Sequence, residues 1–250
     1  MAGRNSELRF NAKDVGDARV LSIEGVLDAT TYLETREAIV KAILDEPQLV
    51  VVDVTGLSVR EEPAWAVFTS VRWQTAEWPD VPVGLVSAHQ HDRNALLRNG
   101  TTRHVPVYAT VESALSEMAV DARRRYRRRA RASIPAQRKS IRRCRELAGE
   151  WLTAWSRTDF IHVVSLVATE LVEAALAATD TDFVLRLETD GSTVSVAIQH
   201  VGIANPARRK AHGDRVSGLD LVAGNSRAWG TYTTLSSNTI WAVVGPENRF

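Results

Sequence analysis

The chain has 250 residues, long enough for one large or two small cores, and its 44% hydrophobic and 24% charged residues are the make-up of an ordinary folded protein. Its 31 Lys and Arg almost balance 30 Asp and Glu, so charge exerts no general pull toward nucleic acid or a membrane surface. The single cysteine, Cys144, excludes an internal disulfide and fits a reducing compartment. The first residues, MAGRNSELRFNAKD, lack the apolar core of a signal peptide, and no run reads as long enough to span a bilayer, so a cytoplasmic protein is expected.

Residues 8 to 28 hold two alternating runs, LRFNAK and RVLSIEG, around the turn-prone VGD, which predicts a strand pair. ATTYLETREAIVKAILDE follows as a helix that Thr30 or Thr31 can cap and Pro47 ends, with Leu33, Ile39, Ile43 and Leu44 as its apolar stripe. LVVVDV is short and apolar enough for a buried strand. EPAWAVFTSVRWQTAEW reads as a second helix, with Trp65 and Trp73 eight apart on one face. VPVGLVS is a strand, HDRNALLRNG a helix ending at Gly100, VPVY a last strand and TVESALSEMAV a closing helix. Strands alternating with helices predict an α/β layer with mainly parallel pairing. His89 and His91 are too little for a metal site.

The succession Gly25-Val26-Leu27-Asp28, Val52-Asp53-Val54-Thr55-Gly56-Leu57, Asn99-Gly100 and Val105-Pro106-Val107-Tyr108 is similar to the STAS domain of anti-sigma factor antagonists, and it covers nearly all of residues 8 to 118. The resemblance implies a phosphoacceptor serine in an Asp-Ser-Ser-Gly turn. Counted from Asp53, that turn is Glu61-Glu62-Pro63-Ala64, with Glu62 at the phosphoacceptor and Asp28 as the acidic neighbour. A carboxylate has no hydroxyl to phosphorylate. Two readings follow: an ordinary acidic helix start, where carboxylates and Pro suit the first turn, or an imitation of a permanently phosphorylated state with less charge than a phosphate. Asp28 can equally be a helix cap.

Seven arginines fall in the nine positions from 123 to 131, read as an Arg-rich linker or first strand at 121–133. Such a run can bind phosphates. The bland alternative is that it is solvated, or paired with acidic neighbours such as the Glu61-Glu62 turn. Beyond it, a helix is expected with Trp151 and Trp155 on one face and Cys144 between two arginines that can lower its pKa. VVSLVATELVEAALAA, residues 163 to 178, has no Gly or Pro and apolar residues at three- and four-residue intervals, the pattern of a helix packed on most sides. Glu170 shares the face of Val163, Val167, Ala174 and Ala178, where a carboxylate needs a partner, a ligand or an exit to water. A strand, STVSVAIQH, a turn from Val201 to Pro206 and a helix start at Ser217-Gly218 follow.

These boxes resemble the ATP pocket of the histidine kinase-like ATPase fold, in its anti-sigma serine kinase branch, across roughly the C-terminal half. SRAWGTYTTLSSNTIWAVV resembles the closing strands. The resemblance implies a Glu general base, matched by Glu170, and a magnesium-holding Asn, replaced here by Ala174, which offers no oxygen. Its adenine-reading Asp is His200, its Asp-x-Gly-x-Gly glycines are Gly202 and Ala204, and its Gly-x-Gly before a helix is Val216-Ser217-Gly218. With three elements of one site damaged, no kinase activity, no cofactor and at best weak binding of ATP and magnesium are expected.

The expectation is therefore an α/β protein with a STAS-like sheet and helices over 1–120 and a C-terminal α/β sandwich of the histidine kinase-like ATPase fold over 121–250. Its expected work is that of a catalytically inactive regulator, a pseudokinase, in sigma-factor partner switching. It would act on a sigma factor or an anti-sigma or antagonist protein, with its halves packing together or the C-terminal half dimerising. The alternatives are an active serine kinase with a remodelled pocket, or an Arg-rich nucleic-acid binder. His200 and His212 are read as surface residues in the bland case.

Overall fold

The computed structural model describes residues 8–202, 218–234 and 236–249. The chain forms two compact units, Met1–Arg125 and Tyr126–Phe250.

In the first unit, β1 (Arg9–Val15) and β2 (Ala18–Leu27) form the expected hairpin, closed at Gly16, whose φ of 59° lies in the left-handed region that glycine adopts without strain. β3 (Leu49–Asp53), β5 (Val83–Val86) and β6 (Val107–Tyr108) continue the sheet in parallel from β2. Alternate residues of each strand face opposite sides. On one side Val20, Leu49, Val51 and Val86 pack with Ala114 and Met118 of α4 (Val111–Arg124). On the other, α1 (Tyr32–Leu44) lies on β2 and β3, and α2 (Ala66–Gln74) lies on α1, burying Ile39, Ile43, Val67, Phe68 and Val71. Burying each such side chain contributes about 1.5–3 kcal/mol. A Cβ at Gly84 would sit 2.4 Å from Met118 Sδ, so the bare backbone of β5 is what lets α4 approach.

Two expectations are corrected here. The second helix is in two pieces, a 3-10 turn over Glu62–Trp65 and then α2, so the eight-residue spacing does not hold Trp65 and Trp73 on one face. Trp65 is buried, while Trp73 is 65% exposed and touches His104 edge-on. Nor does a threonine side chain cap α1. The Thr31 hydroxyl turns back to donate to the Val26 carbonyl at 2.8 Å and accepts from the Asp28 amide at 2.9 Å.

The second unit is an antiparallel sheet in the order β10 (Ala228–Thr233), β11 (Ser237–Val244), β9 (Val194–Val201), β8 (Phe183–Thr189), β7 (Arg128–Ile134). α6 (Ile161–Ala178) packs on β9 and β11, and α5 (Ser140–Ala154) and α7 (Gly218–Gly224) pack on α6. The shared core joins Leu185 and Leu187, Val194, Val196 and Ile198, and Ala242 and Val244 to Val163, Val167 and Leu171. Trp151 and Trp155 pack against its border. Cys144 is fully buried there, and burial pushes its thiol up to about 11, outweighing the Arg143 charge that pulls it down.

By length and composition residues 158–178 do meet the requirement for crossing a membrane, contrary to the expectation from sequence. The reason for that composition is visible in the packing: Val163, Val164, Val167, Ala168, Leu171 and Val172 are at most 1% exposed within this unit's core.

The arginine run is divided between elements. Arg124 ends α4, near Asp121 at 4.0 Å, and Arg125 pairs with Asp80 at 3.0 Å. Arg127 pairs with Glu188 at 2.8 Å and Arg129 bonds the same carboxylate. Arg128 lies over the Tyr126 ring and donates to the Ala154 carbonyl at 3.3 Å.

Candidate functional site

Two places gather the residues singled out in the sequence. The first is the C-terminal end of the parallel strands in the first unit. After β3 the chain turns at Val54-Thr55-Gly56 and lays a short strand, β4 (Leu57–Val59), beside the far end of β2, pairing Gly25 with Leu57 and Leu27 with Val59. Thr55 is fixed by its amide, which donates to Asp53 Oδ1 at 3.0 Å, and by its hydroxyl, which accepts from the Ala88 amide at 3.1 Å. This detour brings Arg60 beside Asp28, its amide donating to the Leu27 carbonyl at 3.5 Å, and the 3-10 turn then begins with Pro63 in its first positions.

Glu62 is exposed, and its Oε1 accepts from Arg98 at the end of α3 (Gln90–Arg98) at 2.6 Å. Asn99 Nδ2 donates to the Glu62 carbonyl at 3.3 Å, so two consecutive residues hold both the side chain and the backbone of this position. Asp28 accepts from the Thr30 hydroxyl at 2.6 Å and the Thr30 amide at 2.9 Å. Those bonds, followed by the Thr31 amide and the positive charge of Arg60, hold its carboxyl below the usual aspartate range. Beside Glu62 opens a cleft of about 480 Å³ lined by Thr55, Ser58, Trp65, His89, His91 and Asp92. His91 lies in the first turn of α3. Among the described residues no group of three or more His, Cys, Asp or Glu side chains is placed to hold a metal ion. Sequence reasoning missed Arg98: an arginine at a helix end carries no signal until the fold sets it against a carboxylate 36 positions away.

The second place lies on α6. Glu170 is half-buried, and burial, reinforced by the neighbouring Glu173 charge, raises its carboxyl above the usual glutamate range. A Cβ at Gly218 would fall 2.0 Å from Glu170 Oε2, so the first residue of α7 sits directly against this carboxylate, which would have to move aside for any larger residue there. Ala174 is half-buried one turn further along α6. His200 is on the face of β9 that carries Val194, Val196 and Ile198, opposite Phe183 and Asn238, and it is buried, not superficial. Its Nδ1 is buried without a hydrogen-bond partner among the described residues, and burial, only partly offset by the Val201 backbone, lowers its pKa. Gly202 follows at φ 101°, its carbonyl accepting from Asn238 Nδ2 at 2.6 Å. The structure thus brings Glu170 and Gly218 together. Ala204, His212, Val216 and Ser217 lie outside the described residues.

Residues 9–114 match the family model for the STAS domain. This segment is a STAS domain. Solved structures similar to the chain include an anti-sigma factor antagonist from Mycobacterium paratuberculosis, at 18% identity and a TM-score of 0.41, covering 47% of this chain and 99% of that one. A Ser-to-Glu variant of RsbS from Moorella thermoacetica is 22% identical with a TM-score of 0.39, covering 46% and 98%. The anti-sigma factor antagonist SpoIIAA in its unphosphorylated form is 18% identical with a TM-score of 0.37, covering 45% and 97%. No curated protein sequence matches the chain. In the STAS domain the Glu61-Glu62-Pro63-Ala64 turn is carried by β4 and the 3-10 turn that follows it.

Proposed function

We propose that the chain is a regulatory protein of a bacterial sigma-factor partner-switching system that works by binding other proteins, without catalysis, in the cytoplasm. The observation that carries this reading is the STAS domain with Glu62, engaged by Arg98, at the position the family resemblance assigns to the phosphoacceptor. Glu62 carries no hydroxyl, so the serine phosphoester that the family resemblance implies cannot form there, and that form of control is lost. The Arg98 pair also masks much of the Glu62 charge, which favours the ordinary acidic helix start over a phosphate mimic.

The second unit, a five-stranded antiparallel sheet carrying helices, is read as a histidine kinase-like ATPase domain that no longer turns over ATP. Magnesium is held through oxygen ligands, and Ala174 supplies none. A buried imidazole kept neutral at His200 lacks the two acceptor oxygens of the carboxylate it replaces. ATP and magnesium therefore do not fit the residues present, and no catalytic step is derived through them.

One observation favours a second reading: a carboxyl with a raised pKa is what a general base needs, and Glu170 has one. Calorimetric titration with ATP and magnesium, together with a phosphorylation assay on the chain and on STAS-domain substrates, separates the two. The regulatory reading expects neither micromolar binding nor phosphate incorporation, together with direct binding to a sigma factor or anti-sigma protein. Turnover that disappears in Glu170→Gln would establish the kinase instead.

A further inference from the structure

In the arginine run of residues 123 to 131, Arg125 is held by Asp80, and Arg127 and Arg129 are held by Glu188. A second basic stretch, at the start of α5, is less engaged. Arg138, Lys139, Arg142, Arg143 and Arg145 are all exposed there. Glu146 pairs with Arg142 at 2.8 Å, and Glu146 and Glu150 share Arg143 at 3.6 and 3.2 Å. The Asp182 carboxylate accepts from the Ala136 amide at 3.3 Å. Arg138, Lys139 and Arg145 have no ion pair among the described residues. This placement works against the helix, because the N-terminal end of a helix carries partial positive charge that acidic side chains offset and basic ones aggravate. α5 has no acidic residue in its first turn and no side-chain hydrogen bond at Lys139, the residue before it. Nor does the core repay that cost, since α5 packs through its other face, with Cys144, Leu147, Ala148 and Leu152 buried. A local rule broken without an internal return marks a surface kept for something outside the fold.

We propose that the start of α5 binds the phosphate backbone of a nucleic-acid duplex. The Ser140 amide donates to the Gln137 carbonyl at 2.9 Å and the Ile141 amide to the Arg138 carbonyl at 3.2 Å, so the chain already winds in a helix-like turn at Arg138. Arg138, Arg142 and Arg145 are four and three apart and fall on one line. At about 1.5 Å of rise per residue that line is about 10 Å long. It matches about three phosphate steps along one strand. The occupant follows from what else the helix offers. Protein interfaces are anchored by aromatic or apolar groups at their centre, and a helix lying on a membrane inserts an apolar face. α5 exposes no large apolar side chain. What remains is charge in a row, and contacts of that kind hold a duplex without reading its bases. This inference stands apart from the regulatory reading, and each can fail without the other.

The test is fluorescence anisotropy of a labelled duplex of about 20 base pairs, DNA in one arm and RNA in the other, titrated with the full chain at several salt concentrations. Binding in either arm supports the proposal, and the tighter arm names the source of the phosphates. Three phosphate contacts should make affinity fall about 40-fold between about 50 and 200 mM salt. Replacing Arg138, Arg142 and Arg145 together by Ala should weaken binding at least about tenfold and flatten the salt dependence, with an unchanged circular dichroism spectrum. Arg124→Ala, at the end of α4, should change neither. No binding to either duplex at low salt, a triple variant that binds as tightly as the wild type, or an equal loss in Arg124→Ala overturns the proposal. So does displacement of the duplex by polyglutamate or phosphatidylglycerol vesicles, at matched charge, as effective as displacement by unlabelled duplex. Should the triple variant fail to fold, Arg145→Gln decides: the slope of log affinity against log salt should fall by about one, and an unchanged slope overturns it.

Discussion

The Glu62–Arg98 pair is the interaction on which the meaning of the STAS turn depends, yet both side chains are more than half exposed. Exposed pairs are worth about 0–1 kcal/mol, so Arg98→Ala should lower the thermal midpoint by no more than a few degrees in a melt of the full chain. A larger loss would mean that Arg98 holds the turn together and does not merely screen it. Glu170 offers a test of opposite sign. Its folded-state pKa is raised, so the folded chain disfavours the ionised carboxylate more than the unfolded chain does, and the penalty is complete only above the folded-state value. Glu170→Gln should therefore raise the melting temperature by about 1–3 °C at neutral pH. That gain should shrink as pH falls through the glutamate range and vanish below it. A gain independent of pH would trace to packing and not to charge.

Among the elements, the βα alternation of the first unit was legible because period-two strands and turn residues are local signals. β4 was not. Its three residues, LSV, carry no alternation long enough to read, and its existence depends on hydrogen bonds to the end of β2. The 3-10 turn before α2 was hidden likewise, since Glu62 to Gln74 has continuous helical character and only the path of the chain breaks it. In the second unit, helical spacing singled out Glu170 and the family resemblance set Gly218 beside it, but how closely the two approach is known only from the packing of α7 on α6. The arginine run was visible as composition while its partners were not, because Glu188 lies some sixty residues away on β8. Glu188 is 8% exposed and faces Arg127 and Arg129 together. Removing its charge takes away the carboxylate that these two partly buried guanidiniums share, and Glu188→Gln should cost about 2 kcal/mol, read as a lowered denaturant midpoint. A neutral outcome would show these arginines to be solvated in solution, reopening a role for them in binding phosphates.

At the scale of the molecule, each unit closes a core of its own around its own sheet. Residues 8–125 expressed alone should accordingly give a single cooperative melt, and a molten spectrum would show that the first unit borrows stability from the rest. The second unit carries a different kind of consequence in Cys144, the chain's one thiol, sealed from solvent and held protonated at neutral pH. An aromatic disulfide reagent cannot colour such a sulfur until the surrounding helices part, so the chain comes with an internal clock. The yellow that develops in native buffer counts openings of one half alone, while the other half, bare of sulfhydryls, stays silent.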